Sequence, residues 1–313
     1  MRALIIGANG QDGRLIAEIL KSQRFEVFGA IRGSAQKKAE GVPQSIFQID
    51  MTDKSESQDF LSQINPDFIF HLAAVHAPSH SMKATELDFL EAMNLCHVGI
   101  TENILKWQKA NPASRSLIAL SSQMFLNNPD SSRLITEATE PDSETPYGVS
   151  KRGAWQRLKA SREEYGVHTS GAILFNHTSS LSKPGFLFPT LVVKIQKVLT
   201  GHSSEVQVLN ESSYLDVTHS KEICDAMIRM VDQKIPGDFV LGSGKTLKIR
   251  DLLEGLSGAI NLDFQITSSS SPKVVHCLKS SPINAKQVLN WEAKISAVEI
   301  LATMILESQD NSE

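Results

Sequence analysis

The sequence predicts an α/β chain built on a doubly wound parallel sheet, with a smaller lobe from its C-terminal part. Three observations carry that reading. An apolar run, Ala3-Leu4-Ile5-Ile6, leads into the glycine-spaced turn Gly7-Ala8-Asn9-Gly10-Gln11-Asp12-Gly13. Short apolar strand signals then alternate with amphipathic helix signals as far as Phe175, the rhythm of βαβ units. The chain has 313 residues, 41% hydrophobic and 21% charged, an ordinary globular composition long enough to bury a full core.

The elements follow in order. Residues 3–7 read as a buried strand and 13–23 as a helix, with Leu15, Ile16, Ile19 and Leu20 on one face. Strands are expected at 26–32 and 45–50, a helix at 55–63, and a strand at 67–74 centred on Phe68-Ile69-Phe70. A long helical pattern runs over 86–110 and stops at Asn111-Pro112. A strand at 116–121, a helix at 147–165 and a strand at 169–175 close the series. Beyond Asn176 the rhythm weakens. Helices are expected at 184–200, 219–232, 249–260, 285–289 and 295–307, and strands at 205–209 and 238–241. Ser268-Ser269-Ser270-Ser271-Pro272 reads as a loop and 308–313 as a frayed tail. The expected division is a Rossmann-type dinucleotide-binding domain over 1–176 and a mostly substrate-binding lobe over 177–313, some of whose segments return to the first domain.

Charge and cysteine content narrow the partners. A net charge of −4 gives no reason to expect a nucleic acid or an anionic membrane. Cys96, Cys224 and Cys277 are few, odd in number and without CxxC spacing, as suits a reducing compartment. The apolar run at 3–6 is too short for a signal-peptide core, and no run of about 18 apolar residues occurs. A cytoplasmic location is therefore the expectation.

Gly7, Gly10 and Gly13 allow a tight turn, close backbone approach to a phosphate and close helix–strand packing, with a helix N-terminus adding partial positive charge. An acidic residue after the second strand would bind the ribose hydroxyls of NAD. Here the segment is Ala30-Ile31-Arg32-Gly33-Ser34, with Lys37 and Lys38 beyond. Arg32 and Ser34 suit a 2′-phosphate, so NADP is preferred, with NAD as the alternative. Asp50-Met51 would lie near an adenine edge, although Asp50 could equally cap the following turn.

Tyr147 and Lys151 stand at i and i+4 at the start of a helix, after a strand ending in Ser121-Ser122. A phenol with a pKa of about 10 is a poor base at neutral pH. A lysine one turn away and a nicotinamide cation would both favour the phenolate. Tyr147 could then move the proton of a carbinol as hydride moves to or from the nicotinamide, with Ser121 holding the same oxygen. His76 and His80 share i, i+4 spacing, but no third ligand is evident and Pro78 disfavours a helix, so no metal site is expected. Trp107, Trp155 and Trp291 read as packing residues.

Gly7-x-x-Gly10-x-x-Gly13, His71-Leu72-Ala73-Ala74, Asn94, Ser121 and Tyr147/Lys151 resemble the extended short-chain dehydrogenase/reductase superfamily. More narrowly, Gly10-Gln11-Asp12-Gly13, Tyr147-Gly148-Val149-Ser150-Lys151, Leu174-Phe175-Asn176-His177, Asp216 and His219-Ser220-Lys221-Glu222 resemble the GDP-mannose 4,6-dehydratase group. The resemblance implies bound NADP, a nucleotide-sugar substrate in the C-terminal lobe, and a homodimer formed through helices 86–110 and 147–165. The candidate cofactor contacts are Gly7, Asn9, Gly10, Gln11, Asp12, Gly13, Arg32, Ser34, Asp50, Met51, Leu72, Ala73 and Ala74, with Tyr147 and Lys151 shared with the chemistry. His76, Ser122 and Asn176 are the candidate substrate contacts.

The sequence also departs from that group. The acidic residue that serves elimination two positions after the catalytic Ser/Thr is Gln123, an amide without useful basicity. Loss of such a base forfeits about two to four orders of magnitude, unless Glu137, Glu140 or Glu144 substitutes. The arginine before Asp216 is replaced in Tyr214-Leu215-Asp216. The Arg-Arg pair after the Phe-Asn-His run is Thr178-Ser179-Ser180, and the C-terminal arginine clamp is replaced by Lys279-Ser280-Ser281-Pro282. Lys183, Lys194 or Lys279 could supply point charges instead. The expected function is an NADP-dependent oxidoreductase or epimerase of a nucleotide-linked sugar, with a 4-keto-sugar reductase fitting Gln123 best. The alternatives are a 4,6-dehydratase with a displaced carboxylate, and a dinucleotide-binding regulatory protein whose substrate site has degraded.

Overall fold

The computed structural model describes residues 1–32, 45–75, 87–126, 134–269 and 278–310. Seven strands form one parallel sheet: β1 (Arg2–Ile6), β2 (Glu26–Ile31), β3 (Ser45–Gln48), β4 (Phe68–His71), β5 (Arg115–Ala119), β6 (Thr169–Leu174) and β7 (Asp238–Leu241). Their order is β3-β2-β1-β4-β5-β6-β7. The order reverses between β1 and β4, and a crevice outside the C-terminal strand ends at that switch point is the usual ligand site of such sheets. β4 and β6 are buried along their whole length. Burial on both faces is why the strands read as apolar runs instead of alternating ones.

Helices cover both faces. On one side α1 (Gln11–Ser22), α7 (Ser220–Asp232) and α9 (Ile283–Leu289) bury Leu15, Ile16, Leu20, Ile223, Met227 and Leu289 against the sheet. On the other, α2 (Lys54–Ile64), α4 (Ile100–Ala110) and α5 (Pro146–Tyr165) bury Phe60, Leu61, Ile104, Trp107, Ala154 and Leu158. A third core joins α6 (Leu187–Leu199), α8 (Ile249–Ile260) and α10 (Ala297–Asp310) to the short strand Glu205–Val208. Phe188, Leu215 and Val217 of this third core also line the cleft described below. The three tryptophans are buried, and their indole N–H groups donate to Ser62, Asp238 and the Glu222 carbonyl.

Local chemistry sets the ends of the helices. Asp53 caps α2 by accepting from the Glu56 amide at 2.8 Å, and Asn65 ends it with a φ of 47°. Thr145 caps α5, Pro146 fills its first turn and Gly166 ends it with a φ of 65°. Several expected elements differ. The pattern over 86–110 is α3 (Leu87–Asn94) and α4 joined by a π-turn at Leu95–Gly99, a device common near functional sites. The helix expected from 184 begins at Leu187, because Gly185 has a φ of 91°. Asn176–Thr178 is an unexpected strand paired with Val217–His219. Ser268 ends a strand paired with Glu205–Val208, and 308–310 continue α10 instead of fraying. Ser34, Lys37, Lys38, His76, His80 and Cys277 lie outside the described residues. Among the described residues no helix is long and apolar enough to cross a membrane.

Candidate active site

β1 ends at Ile6 and the chain turns through Gly7, whose φ of 91° is one that residues with a Cβ rarely adopt. A Cβ on Gly7 would come within 2.7 Å of the Ala73 amide nitrogen, and one on Gly13 within 2.5 Å of the Gly7 carbonyl. β1, β4 and α1 therefore meet at backbone distance, as a pyrophosphate cradle requires. The N-terminus of α1, with no side-chain cap at Gly10, opens on a cleft of 690 Å³. Its walls include Gly7, Asn9, Gly10, Gln11, Asp12, Gly13, Arg32, Asp50, Met51, Leu72, Ala73 and Ala74. The described residues expected to hold a dinucleotide thus share one surface that fits it. Asp50 also caps its turn. Its Oδ1 accepts from the Thr52 hydroxyl at 2.6 Å and amide at 2.9 Å, the hydroxyl doing most to hold this carboxyl below its usual range.

The chemical groups come from the next strand and helix. Ser121 follows β5 and caps the 3-10 turn Ser122–Phe125, accepting from the Gln123 amide at 3.2 Å. α5 passes this turn at Gly148, where a Cβ would come within 2.5 Å of the Gln123 carbonyl. That close passage sets Tyr147 beside Ser121, to which its phenol is hydrogen-bonded. Lys151 Nζ donates to the Ala119 carbonyl at 2.7 Å and lies 5.8 Å from the centre of the Tyr147 ring. Ser121, Ser122, Gln123, Tyr147, Lys151 and Asn176 all line the cleft.

Burial pushes the Tyr147 phenol up to about 12, against the opposing Ser121 hydrogen bond, and pulls Lys151 down to about 8. In both groups desolvation disfavours the charged form. Tyr147 stands as a phenol, a proton donor.

What braces Tyr147 was not legible in the sequence. His97, from the π-turn, meets the Tyr147 ring edge-on with centroids 5.2 Å apart. Its Nδ1 donates to Ser150 Oγ at 2.8 Å, and Ser150 donates to the Tyr147 carbonyl at 2.9 Å. His71 Nε2 donates to the Cys96 carbonyl at 3.1 Å. Burial and the Lys151 charge drop His71 to about 3, so it is neutral. A period-breaking turn is not legible from a 3.6-residue pattern, and so His97 had no signal.

The chain matches the family model of GDP-mannose 4,6 dehydratase over residues 4–304. It belongs to that family. It is 27% identical to GDP-mannose 4,6 dehydratase 2 of Caenorhabditis elegans, across 97% of this chain and 87% of that one. Its fold is similar to that of UDP-glucose 4-epimerase of Thermotoga maritima, solved with UDP-glucose, with a TM-score of 0.85, 18% identity and 100% of each chain covered. It is also similar to dTDP-glucose 4,6-dehydratase of Bacillus anthracis str. Ames in complex with NAD, with a TM-score of 0.80, 15% identity, and 100% of this chain and 97% of that one covered.

The half of the cleft away from the glycine turn departs from what the sequence resemblance expects. Leu215 lines the wall at the position where the resemblance expects an arginine. Asp216 points away into a serine cage: Ser243 and Ser280 each donate amide and hydroxyl to it. Of the candidate point charges, Lys183 lines the cleft. Lys194 instead donates to the Gln207 carbonyl, and Lys279 lies in a strand paired with Leu134–Ile135. None of the three candidate carboxylates, Glu137, Glu140 and Glu144, lines the cleft beside Tyr147. Glu137 accepts from the Val240 amide at 2.8 Å, Glu140 lines a separate cavity between α4 and α5, and Glu144 is solvent-exposed.

Proposed function

We propose that this chain is an NADP-dependent oxidoreductase or epimerase acting at a secondary alcohol or ketone of a nucleotide-linked sugar, and most simply a 4-keto-sugar reductase. The observation that carries this reading is a Ser121–Tyr147–Lys151 set beside a dinucleotide cradle, with an amide, Gln123, at the elimination position. When bound, the dinucleotide supplies or accepts the hydride. The glycine turn and Lys151 would hold it, and Arg32 favours the 2′-phosphate. In the reductive direction Tyr147 gives its proton to the sugar oxygen, and Ser121 orients that oxygen. The protonated state that burial imposes on Tyr147 suits this direction.

Family membership favours a second reading, a 4,6-dehydratase, against the amide at position 123 and the placement of Glu137, Glu140 and Glu144 away from the cleft. Incubation with NADPH and GDP-4-keto-6-deoxymannose separates them: reduction consumes NADPH, whereas a pure dehydratase leaves it unchanged. Tighter binding of NADH than NADPH would remove the role given to Arg32.

We also infer a homodimer through the faces of α3–α4 and α5. Leu95 and Val149 are 42% and 41% exposed there and line one cavity with Gly153 and Arg157. Light scattering of a Leu95→Glu/Val149→Glu variant should give a monomer; an unchanged dimer mass rejects this interface.

A further inference from the structure

Asp12 and His177 make a contact that the proposed reaction does not use. Asp12 stands in the first turn of α1, where a carboxylate opposes any phosphate drawn to the helix N-terminus. His177 Nδ1 lies 2.8 Å from the Phe175 carbonyl, and Nε2 lies 3.0 Å from Asp12 Oδ2. A carbonyl only accepts, so Nδ1 carries a hydrogen. The remaining proton lies between imidazole and carboxylate, and their ordinary pKa values of about 6.5 and about 3.9 put it on the imidazole. Burial works against that charge, but the Asp12 carboxylate overcomes it and raises His177 to about 9.

The pair sits in a wider clasp. Gln11 Nε2 donates to Asp12 Oδ1 at 3.2 Å, and Gln11 Oε1 accepts from Ser179 at 2.9 Å and Ser182 at 2.5 Å. The other titratable groups facing Asp12 are the Tyr147 phenol and the Cys224 thiol. Burial pushes both up, so both stay neutral and neither adds to nor offsets the Asp12 charge. Asp12, His177, Ser182 and Lys183 all line the cleft.

We propose that His177 is a positioning residue for the dinucleotide: its charge cancels Asp12 beside the phosphate, and the pair fastens residues 176–183 to the glycine turn. A seated cofactor then orders the segment that brings Asn176 and Lys183 to the substrate side. This inference rests on the dinucleotide reading of the cleft.

The test is titration of the full chain with NADPH, with hydrogen exchange over 176–186 read at saturation. His177→Gln leaves Asp12 uncompensated, and the NADPH Kd should rise about tenfold. Asp12→Asn/His177→Gln removes the anion too and leaves two amides able to bond each other. Its Kd should return to within about threefold of wild type. NADPH should slow exchange over 176–186 in the wild type but not in saturated His177→Gln. An unchanged Kd in His177→Gln, or a double variant that binds worse than the single, overturns the proposal, since a residue needed only for packing would add its loss to that of Asp12. Should His177→Gln not fold, Asp12→Asn alone should bind NADPH at least as tightly as wild type; weaker binding counts against the proposal. A wild-type chain that binds no NADPH removes the dinucleotide reading beneath it.

Discussion

The two halves of the cleft are built from different materials. The dinucleotide half is made of backbone: Gly7 and Gly13 bring β1, β4 and α1 so close that a Cβ would strike main chain. The substrate half is made of side chains, and there Leu215 and Gln123 stand where the family resemblance expects an arginine and an acid. A backbone cradle leaves few substitutions open, because any side chain collides. A side-chain wall can lose a charge and keep its fold. On the proposed function, this difference is what lets the redox apparatus of one cleft be kept while its elimination apparatus is lost.

The largest break in this comparison is Tyr147→Phe. It removes the proton donor shared by both halves, and turnover should fall by about two to four orders of magnitude while NADPH affinity stays within a few-fold. Steady-state rates beside a binding titration check this, and retained turnover would strip Tyr147 of its role. Next comes Gly13→Val. Its Cβ would meet the Gly7 carbonyl and Ala8 backbone, and the NADPH Kd should rise about tenfold to hundredfold. Wild-type affinity in that variant would mean the cradle is not where the cofactor sits.

Leu215→Arg sharpens the other half. A guanidinium on that wall should tighten GDP binding by about tenfold by calorimetry, the worth of a charge-assisted hydrogen bond. No gain would place the diphosphate elsewhere. The smallest effect is on stability. His71 is held neutral with a pKa of about 3, below its unfolded value of about 6.5. Between those values the unfolded chain binds the extra proton, so stability falls as pH drops below about 6.5. Thermal melts from pH 7 to pH 5 should show a shallower loss in His71→Gln than in wild type; parallel slopes would contradict this.

How much of this was legible depends on what each feature rests upon. The parallel sheet was, because apolar strands such as β1 and β4 alternate with amphipathic helix patterns. The shared wall of Gly7–Gly13, Ser121, Tyr147 and Lys151 was legible too, since these are local motifs at strand ends, where topology brings them together. What escaped were relations between distant segments. The Asp12–His177 pair joins two separate local motifs that nothing in the sequence links, and His97 reaches Tyr147 from a π-turn that shifts the helix register. Sequence likewise shows the lysine one turn from Tyr147 but not the burial that raises the phenol and lowers the ammonium.

On the proposed function, hydride chemistry proceeds here without elimination, and mass spectrometry of GDP-mannose incubated with the wild-type chain and NADP⁺ is the decisive check. No sugar nucleotide lighter by one water is expected, at enzyme concentrations where NADPH-dependent reduction of the 4-keto sugar is readily followed. Accumulation of the dehydrated 4-keto-6-deoxy product would contradict it and show that a carboxylate other than the absent one at position 123 does the work.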